Sequence, residues 1–238
     1  MSEQLIIEVA EIEVNTACPR RCSYCPNSVA ELRGPDRHMS RDLFSKTIAE
    51  LAAADFVGRL SFHLYSEPLL RKDLHDLVAI ARSALPRTFL VLFTNGDLLT
   101  DSRHRQLLDA GIDRFLVTRH DDKPMPERPL QEVQHWTEIT LTSRSGIVVR
   151  QSGPLRRPCH APSEMLIVTF DGDVLLCHED GERQAAIGNL ASSSLREIWF
   201  ASDAVRRRRL LRGGDRAAAG GICARCDLTY YAIAGNAI

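Results

Sequence analysis

CPRRCSYC, residues 18–25, places three of the chain's seven cysteines within eight positions. It follows a strand-like segment, LIIEVAEIEV (5–14), and precedes a helix-like one, SRDLFSKTIAELAAAD (40–55). In that helix Ser40 is the expected N-cap, and Phe44, Ile48 and Leu51 share one face. A cysteine-rich loop between a strand and a helix reads as part of a βα unit. In such units ligands gather beyond the carboxyl ends of the strands.

Working outward, the alternation continues. RLSFHLY (59–65) reads as a strand and KDLHDLVAIARSAL (72–85) as a helix. TFLVLFT (88–94) is a continuous apolar strand, as in a parallel sheet covered on both faces. DSRHRQLLDAG (101–111) reads as a helix ending at Gly111, RFLVT (114–118) as a strand. A weaker helix is expected near 129–136, before a strand at EITLT (138–142). About five strands and four helices in βα order predict an α/β fold with a parallel sheet or partial barrel. A full eightfold barrel needs about 250 residues, and the alternation stops near residue 143. We therefore expect a first domain over 1–148 and a second over 149–238. The second contains a hairpin around Asp171-Gly172 in MLIVTFDGDVLLC (165–177), short helices at SLREIWF (194–200) and DAVRRRRLLR (203–212), and a CxxC tail.

Composition sets limits. The chain has 238 residues, 44% hydrophobic and 26% charged, with a formal net charge of −1. That balance creates no field for nucleic acid or an anionic membrane. The arginine run 206–209 reads as a solvated helix face. MSEQLIIEVAEIEV lacks the basic start and apolar core of a signal peptide, and no stretch has the length of a membrane span. The expected compartment is the cytoplasm, where thiols stay reduced. Seven cysteines cannot all pair, which favours metal ligation or catalysis.

Cys18, Cys22 and Cys25 can turn three sulfurs towards one centre. A structural zinc would need a fourth local ligand, and the nearest histidine, His38, is thirteen residues on. Three thiolates with one open position suit a 4Fe–4S cluster whose fourth iron is free. Three unconnected buried cysteines are the bland alternative. Cys159 and Cys177 flank the hairpin and Cys223 and Cys226 close the chain, a complete four-sulfur set for a second cluster or for zinc.

CxxxCxxC with Tyr24 before the last cysteine, after the first strand of a βα domain, resembles the radical S-adenosylmethionine enzymes. YSEPLL (65–70) resembles that family's GGEP segment, with Tyr65 and Ser66 in place of the glycines and Glu67 and Pro68 kept. FTNGD (93–97) and FLVTRH (115–120) resemble its next cofactor-facing loops. The resemblance implies two 4Fe–4S clusters and S-adenosylmethionine as co-substrate. The first cluster would sit on Cys18, Cys22 and Cys25. The second, in a short auxiliary "twitch" domain, would sit on Cys159, Cys177, Cys223 and Cys226. Tyr24, Ser66, Glu67, Pro68, Thr94, Asn95, Gly96 and Thr118 would face S-adenosylmethionine.

Within the family the chain is similar to the aminoglycoside-pathway dehydrogenases. That similarity implies a small aminocyclitol or aminoglycoside substrate, such as 2-deoxy-scyllo-inosamine or a spectinomycin precursor, oxidised from secondary alcohol to ketone. Tyr65, Phe93, Arg144, His178 and Glu179 would contact it. His178 stands where a relative carries an aromatic hydrocarbon ring, which fits a larger or more polar substrate. Arg144 would stabilise the developing alkoxide, and water, His178 or Glu179 would take its proton. Tyr65 is a further catalytic expectation. An electron donor such as flavodoxin or ferredoxin is implied. Epimerisation is the rival within the family and would need a spare hydrogen-atom donor. Outside it, the rival is a zinc-stabilised binding module.

Overall fold

The computed structural model describes residues 5–29, 35–139, 141–148 and 155–228. One eight-stranded sheet organises them, in the order β5-β4-β3-β2-β1-β6-β7-β8. The strands are β1 (Val9–Ile12), β2 (Arg59–Ser61), β3 (Phe89–Thr94), β4 (Arg114–Arg119), β5 (Gln131–His135), β6 (Met165–Val168), β7 (Asp173–Leu175) and β8 (Ala186–Asn189). Strands β1 to β5 pair in parallel. The other edge of β1 pairs in parallel with β6, from which the antiparallel β6–β7–β8 ribbon continues the sheet. The hairpin is therefore built onto the first strand, an arrangement that local sequence could not display.

Helices α1 (Arg41–Ala53), α2 (Leu74–Ala84) and α3 (Asp101–Ala110) follow β1, β2 and β3. Ser40 caps α1 by accepting from the Leu43 N–H, and Phe44, Ile48 and Leu51 are buried. Gly111 ends α3 in the left-handed region, at φ 116°. The short α4 (Ala161–Glu164) leads into β6, and α5 (Leu195–Trp199), α6 (Ser202–Arg212) and α7 (Arg216–Ala219) follow β8.

Strand periodicity divides the core. Ala10, Ile12, Leu60, Leu90, Leu92, Phe115 and Val117 pack in the main cluster with α1 to α3. Val9, Met165, Ile167, Leu175 and Cys177 pack in a second cluster with Leu211, Ala219 and Ile222. Glu11 shares the Val9 face of β1 and lines a cavity at the strand ends.

Two local expectations are corrected. Residues 131–135, expected as helix, form β5. Its side chains are mostly exposed, so no buried stripe existed to hold a helix, and backbone pairing with β4 decides the conformation. EITLT is not a strand among its described residues, for Glu138 closes a 3-10 turn from Trp136 and residue 140 lies outside the description. The expected domain boundary lies at the edge of the described residues, and the 143–158 connection falls partly outside them. The arginine run is also not a uniform solvated face. Arg208 is buried, its guanidinium 3.8 Å above the Trp199 ring and donating to the Pro162 and Trp199 carbonyls.

Candidate active site

The cysteine loop is held at both ends. Asn15 and His38 form a β-bridge, and Met39 N–H donates to the Val14 carbonyl at 3.0 Å. The buried Arg71 guanidinium donates to the Val14 and Met39 carbonyls at 2.8 and 2.7 Å. Arg71 follows the YSEPLL segment directly, so the second strand's loop anchors the first. Within the loop, Arg20 Nε donates to Asp97 at 2.7 Å and its Nη2 to Asp121 at 3.2 Å. One side chain thus ties the cysteine loop to the loops after β3 and β4.

Cys18, Cys22 and Cys25 line a cavity of about 310 Å³ together with Tyr24, Ser66, Glu67, Phe93, Thr94, Asn95, Thr118, Arg144 and His178. Tyr65 lines it as well. Glu67 is buried. Its Oε1 accepts from Thr94 Oγ1 and Leu69 N–H, its Oε2 from Asn95 N–H at 2.8 Å. Burial pushes its carboxyl up, and these donors oppose the shift. Pro68 is buried at the start of a 3-10 turn, and Gly96, at φ 77°, donates to Thr94 Oγ1. These two shape the strand-end loops without lining the cavity. Tyr24 stacks on Trp136 with centroids 5.1 Å apart, and its hydroxyl shares a hydrogen bond with His120 Nδ1.

At the other end, Arg144 Nη1 lies 2.9 Å from Oε1 of the fully buried Glu179. Thr142 Oγ1 donates to the same carboxylate, and His178 Nε2 stands 3.3 Å from it. Burial alone would push the Glu179 carboxyl up. Hydrogen bonding to His178 and the Arg144 charge outweigh it and hold it at about 2. Tyr65 donates its hydroxyl proton to the His178 carbonyl, and the Arg144 guanidinium lies 5.6 Å from the Tyr65 ring centre. Arg144 and Ser145 both occupy the left-handed region, at φ 50° and 54°, which is uncommon for side-chain-bearing residues and frequent at functional sites.

Cys159, Cys177, Cys223 and Cys226 line one small second cavity, beside Glu179. Burial pushes the Cys223 thiol up to about 12, followed in effect by its cysteine neighbours Cys226 and Cys159. All seven thiols are free, and every one lines one of the two cavities. Among the described residues no three His, Cys, Asp or Glu side chains close around a single-ion position. The donor chemistry fits a 4Fe–4S cluster at each set. Ser66 Oγ is buried without a protein partner beside Glu67, a polar atom available to a cofactor.

Sequence reasoning missed several cavity residues. Arg20, His120, Glu11 and His63 all line it. His63 carried a signal, since it stands two positions before Tyr65 in the quoted strand segment and so on the same side. Arg20 and His120 carried none, because their partners are distant in sequence. The loop contacts to the tail were equally invisible. Asp227 accepts from Ser143 N–H and Oγ at 3.0 and 2.7 Å.

A partial α/β barrel with three thiols at its first strand end, and four more on an appended hairpin and tail, defines a radical S-adenosylmethionine enzyme with an auxiliary iron–sulfur domain. The chain belongs to the radical SAM superfamily. That family's model matches residues 12–125, and the SPASM iron-sulfur cluster-binding domain matches residues 159–227. The chain is 32% identical, over 93% of each chain, to the S-adenosyl-L-methionine-dependent 2-deoxy-scyllo-inosamine dehydrogenase of Niallia circulans. It is similar to the crystal structure of BtrN in complex with AdoMet and 2-DOIA, with a TM-score of 0.87, 31% identity and 95% of both chains covered. Against BtrN in an open conformation the TM-score is 0.77, at 29% identity, with 98% of this chain and 100% of that one covered. Two 4Fe–4S clusters and S-adenosylmethionine are accordingly its cofactors. No helix among the described residues is long and apolar enough to cross a membrane.

Proposed function

We propose that this oxidoreductase oxidises a secondary alcohol of an aminocyclitol to a ketone, with 2-deoxy-scyllo-inosamine or a close aminoglycoside precursor as substrate. The observation that carries this reading is the distribution of thiols. Three line the first cavity, four the second, and the chain has seven. No cysteine is left to return a hydrogen atom, which an epimerase of this chemistry would need.

When bound, the first cluster with S-adenosylmethionine supplies removal of a hydrogen atom, and the second cluster takes up one electron. The chain's own residues hold the alcohol between them. Arg144 spends Nη1 on Glu179 and keeps Nε buried without a partner, a donor for a substrate oxygen. Glu179, expected at the substrate, does not line this cavity; from behind it the buried carboxylate holds Arg144 and His178, which do. Tyr65 and Phe93 line the first cavity, and His178 adds a polar edge to it. Asn95 and Thr94, with Glu67, hold the cofactor end. An electron donor such as flavodoxin or ferredoxin would reduce the first cluster, and the enzyme would work in the cytoplasm.

The test is anaerobic incubation of the reconstituted protein with S-adenosylmethionine, a reductant and 2-deoxy-scyllo-inosamine, reading product mass. Loss of two hydrogens, with about one 5′-deoxyadenosine per ketone, is expected. An unchanged mass with an inverted carbinol carrying solvent deuterium would overturn the reading.

A further inference from the structure

The alcohol's proton needs an acceptor, and most of the ionisable groups in the cavity are already engaged. Glu67 accepts from Thr94, Leu69 and Asn95. Glu179 is held by Thr142, Arg144 and His178. Glu11 faces Arg59 at 3.7 Å. His120 meets Tyr24 and lies 3.5 Å from the Cys22 sulfur.

His63 is different. It lines the same cavity, and its ring stacks on Phe93 with centroids 4.7 Å apart. Its Nδ1 is sealed from solvent without a partner. Among the described residues Nε2 makes no hydrogen bond either, and unlike Nδ1 it is not sealed from solvent, which leaves it open to the cavity. A neutral imidazole carries one N–H and one lone pair. The tautomer with hydrogen on Nδ1 presents its lone pair to whatever fills the space beside Phe93.

We propose that His63 Nε2 is the general base that takes the substrate's hydroxyl proton as the carbinol is oxidised. The proposal rests on the alcohol-oxidation reading above. With one electron supplied to S-adenosylmethionine by the reductant, the step balances: its C5′–S bond would break and methionine leave, the carbinol's hydrogen atom would form a new C5′–H bond, one electron would pass to the second cluster, and the hydroxyl proton to His63. The substrate's C–H and O–H bonds break, and its C=O π bond and a new N–H bond form. Burial is the main influence on the ring and pushes its pKa down to about 4, so it is neutral and ready to accept at neutral pH. Glu11 favours the protonated ring, and Arg59, His178 and Arg144 oppose it. A weak base suffices here, because a hydroxyl becomes strongly acidic once its carbon has lost a hydrogen atom and is losing an electron.

The test uses holoenzyme with 2-deoxy-scyllo-inosamine and two variants, His63→Phe, which keeps the stack on Phe93, and His63→Gln, which keeps polarity. Iron content first establishes that both carry their clusters. Ketone formation should fall about 100-fold or more in both, while the calorimetric Kd for substrate moves within about threefold. An organic substrate radical should accumulate in the variants' electron paramagnetic resonance spectra and be absent from the wild type. Ketone formation by His63→Phe or His63→Gln within about threefold of wild type would overturn the assignment. So would a loss of turnover explained wholly by weaker binding, with no radical signal. Failure of the wild-type protein itself to make ketone would instead overturn the alcohol-oxidation reading, and the base with it.

Discussion

Glu179 stands two residues after Cys177 in sequence and 2.9 Å from Arg144 in space, so one short segment both supplies a thiol to the second cysteine set and carries the counter-charge of an arginine that lines the first cavity. A fully buried carboxylate is tolerable because Thr142, Arg144 and His178 surround it. Removing one partner strands the other. Glu179→Ala should weaken aminocyclitol binding by about 3–5 kcal/mol, the cost typical of an orphaned buried charge. Calorimetry with 2-deoxy-scyllo-inosamine reads this. Equal losses in binding and in iron content would show that Glu179 serves the fold instead.

Replacing Cys18, Cys22 and Cys25 together with Ala should abolish S-adenosylmethionine cleavage. Iron should fall from about eight to about four per chain, because the second thiol set is separate from the first. Continued formation of 5′-deoxyadenosine by the triple variant would refute the placement of the first cluster.

The Asp227 carboxylate receives two donors from Ser143. Asp227→Asn should lose charge-assisted bonds worth about 1.5–3 kcal/mol and loosen the turn that carries Arg144. A raised KM for the alcohol is expected, with less effect on substrate-free S-adenosylmethionine cleavage. An unaltered KM would show that the turn holds its shape without the tail.

Arg208 and Arg209 are neighbours with opposite fates. Burial pushes the Arg208 guanidinium down to about 10, and it is satisfied by the Pro162 and Trp199 carbonyls. Arg208→Ala should destabilise the protein by about 2–3 kcal/mol and Arg209→Ala by no more than about 0.5 kcal/mol, read as a difference in unfolding midpoint. Equal effects would contradict the buried role.

Much of this was legible in the chain because it is written locally. The Ser40 cap, the Phe44-Ile48-Leu51 stripe and the Asp171-Gly172 turn, with Gly172 at φ 92°, each depend on neighbours within a few positions. The cysteine spacing is local too. What escaped depends on pairing across distance. The polar sequence of β5 looked helical because nothing nearby records β4, and Arg208 looked solvated because Trp199 and Pro162 arrive from other elements. Of the first cavity, Tyr65, Phe93 and Arg144 were named by resemblance to a family, as was Glu179, which the structure buries behind it. Arg20 and His120 became visible when strand-end loops met.

The turn at 142–145 leans on the last described stretch of the chain, Ser143 donating to Asp227. On either side of Ser143, Thr142 and Arg144 both reach Glu179. The two ends of the second half of the chain therefore share one support: a change that displaces the tail also removes the anchor beside Arg144, so the tail's reach extends beyond the thiols it carries.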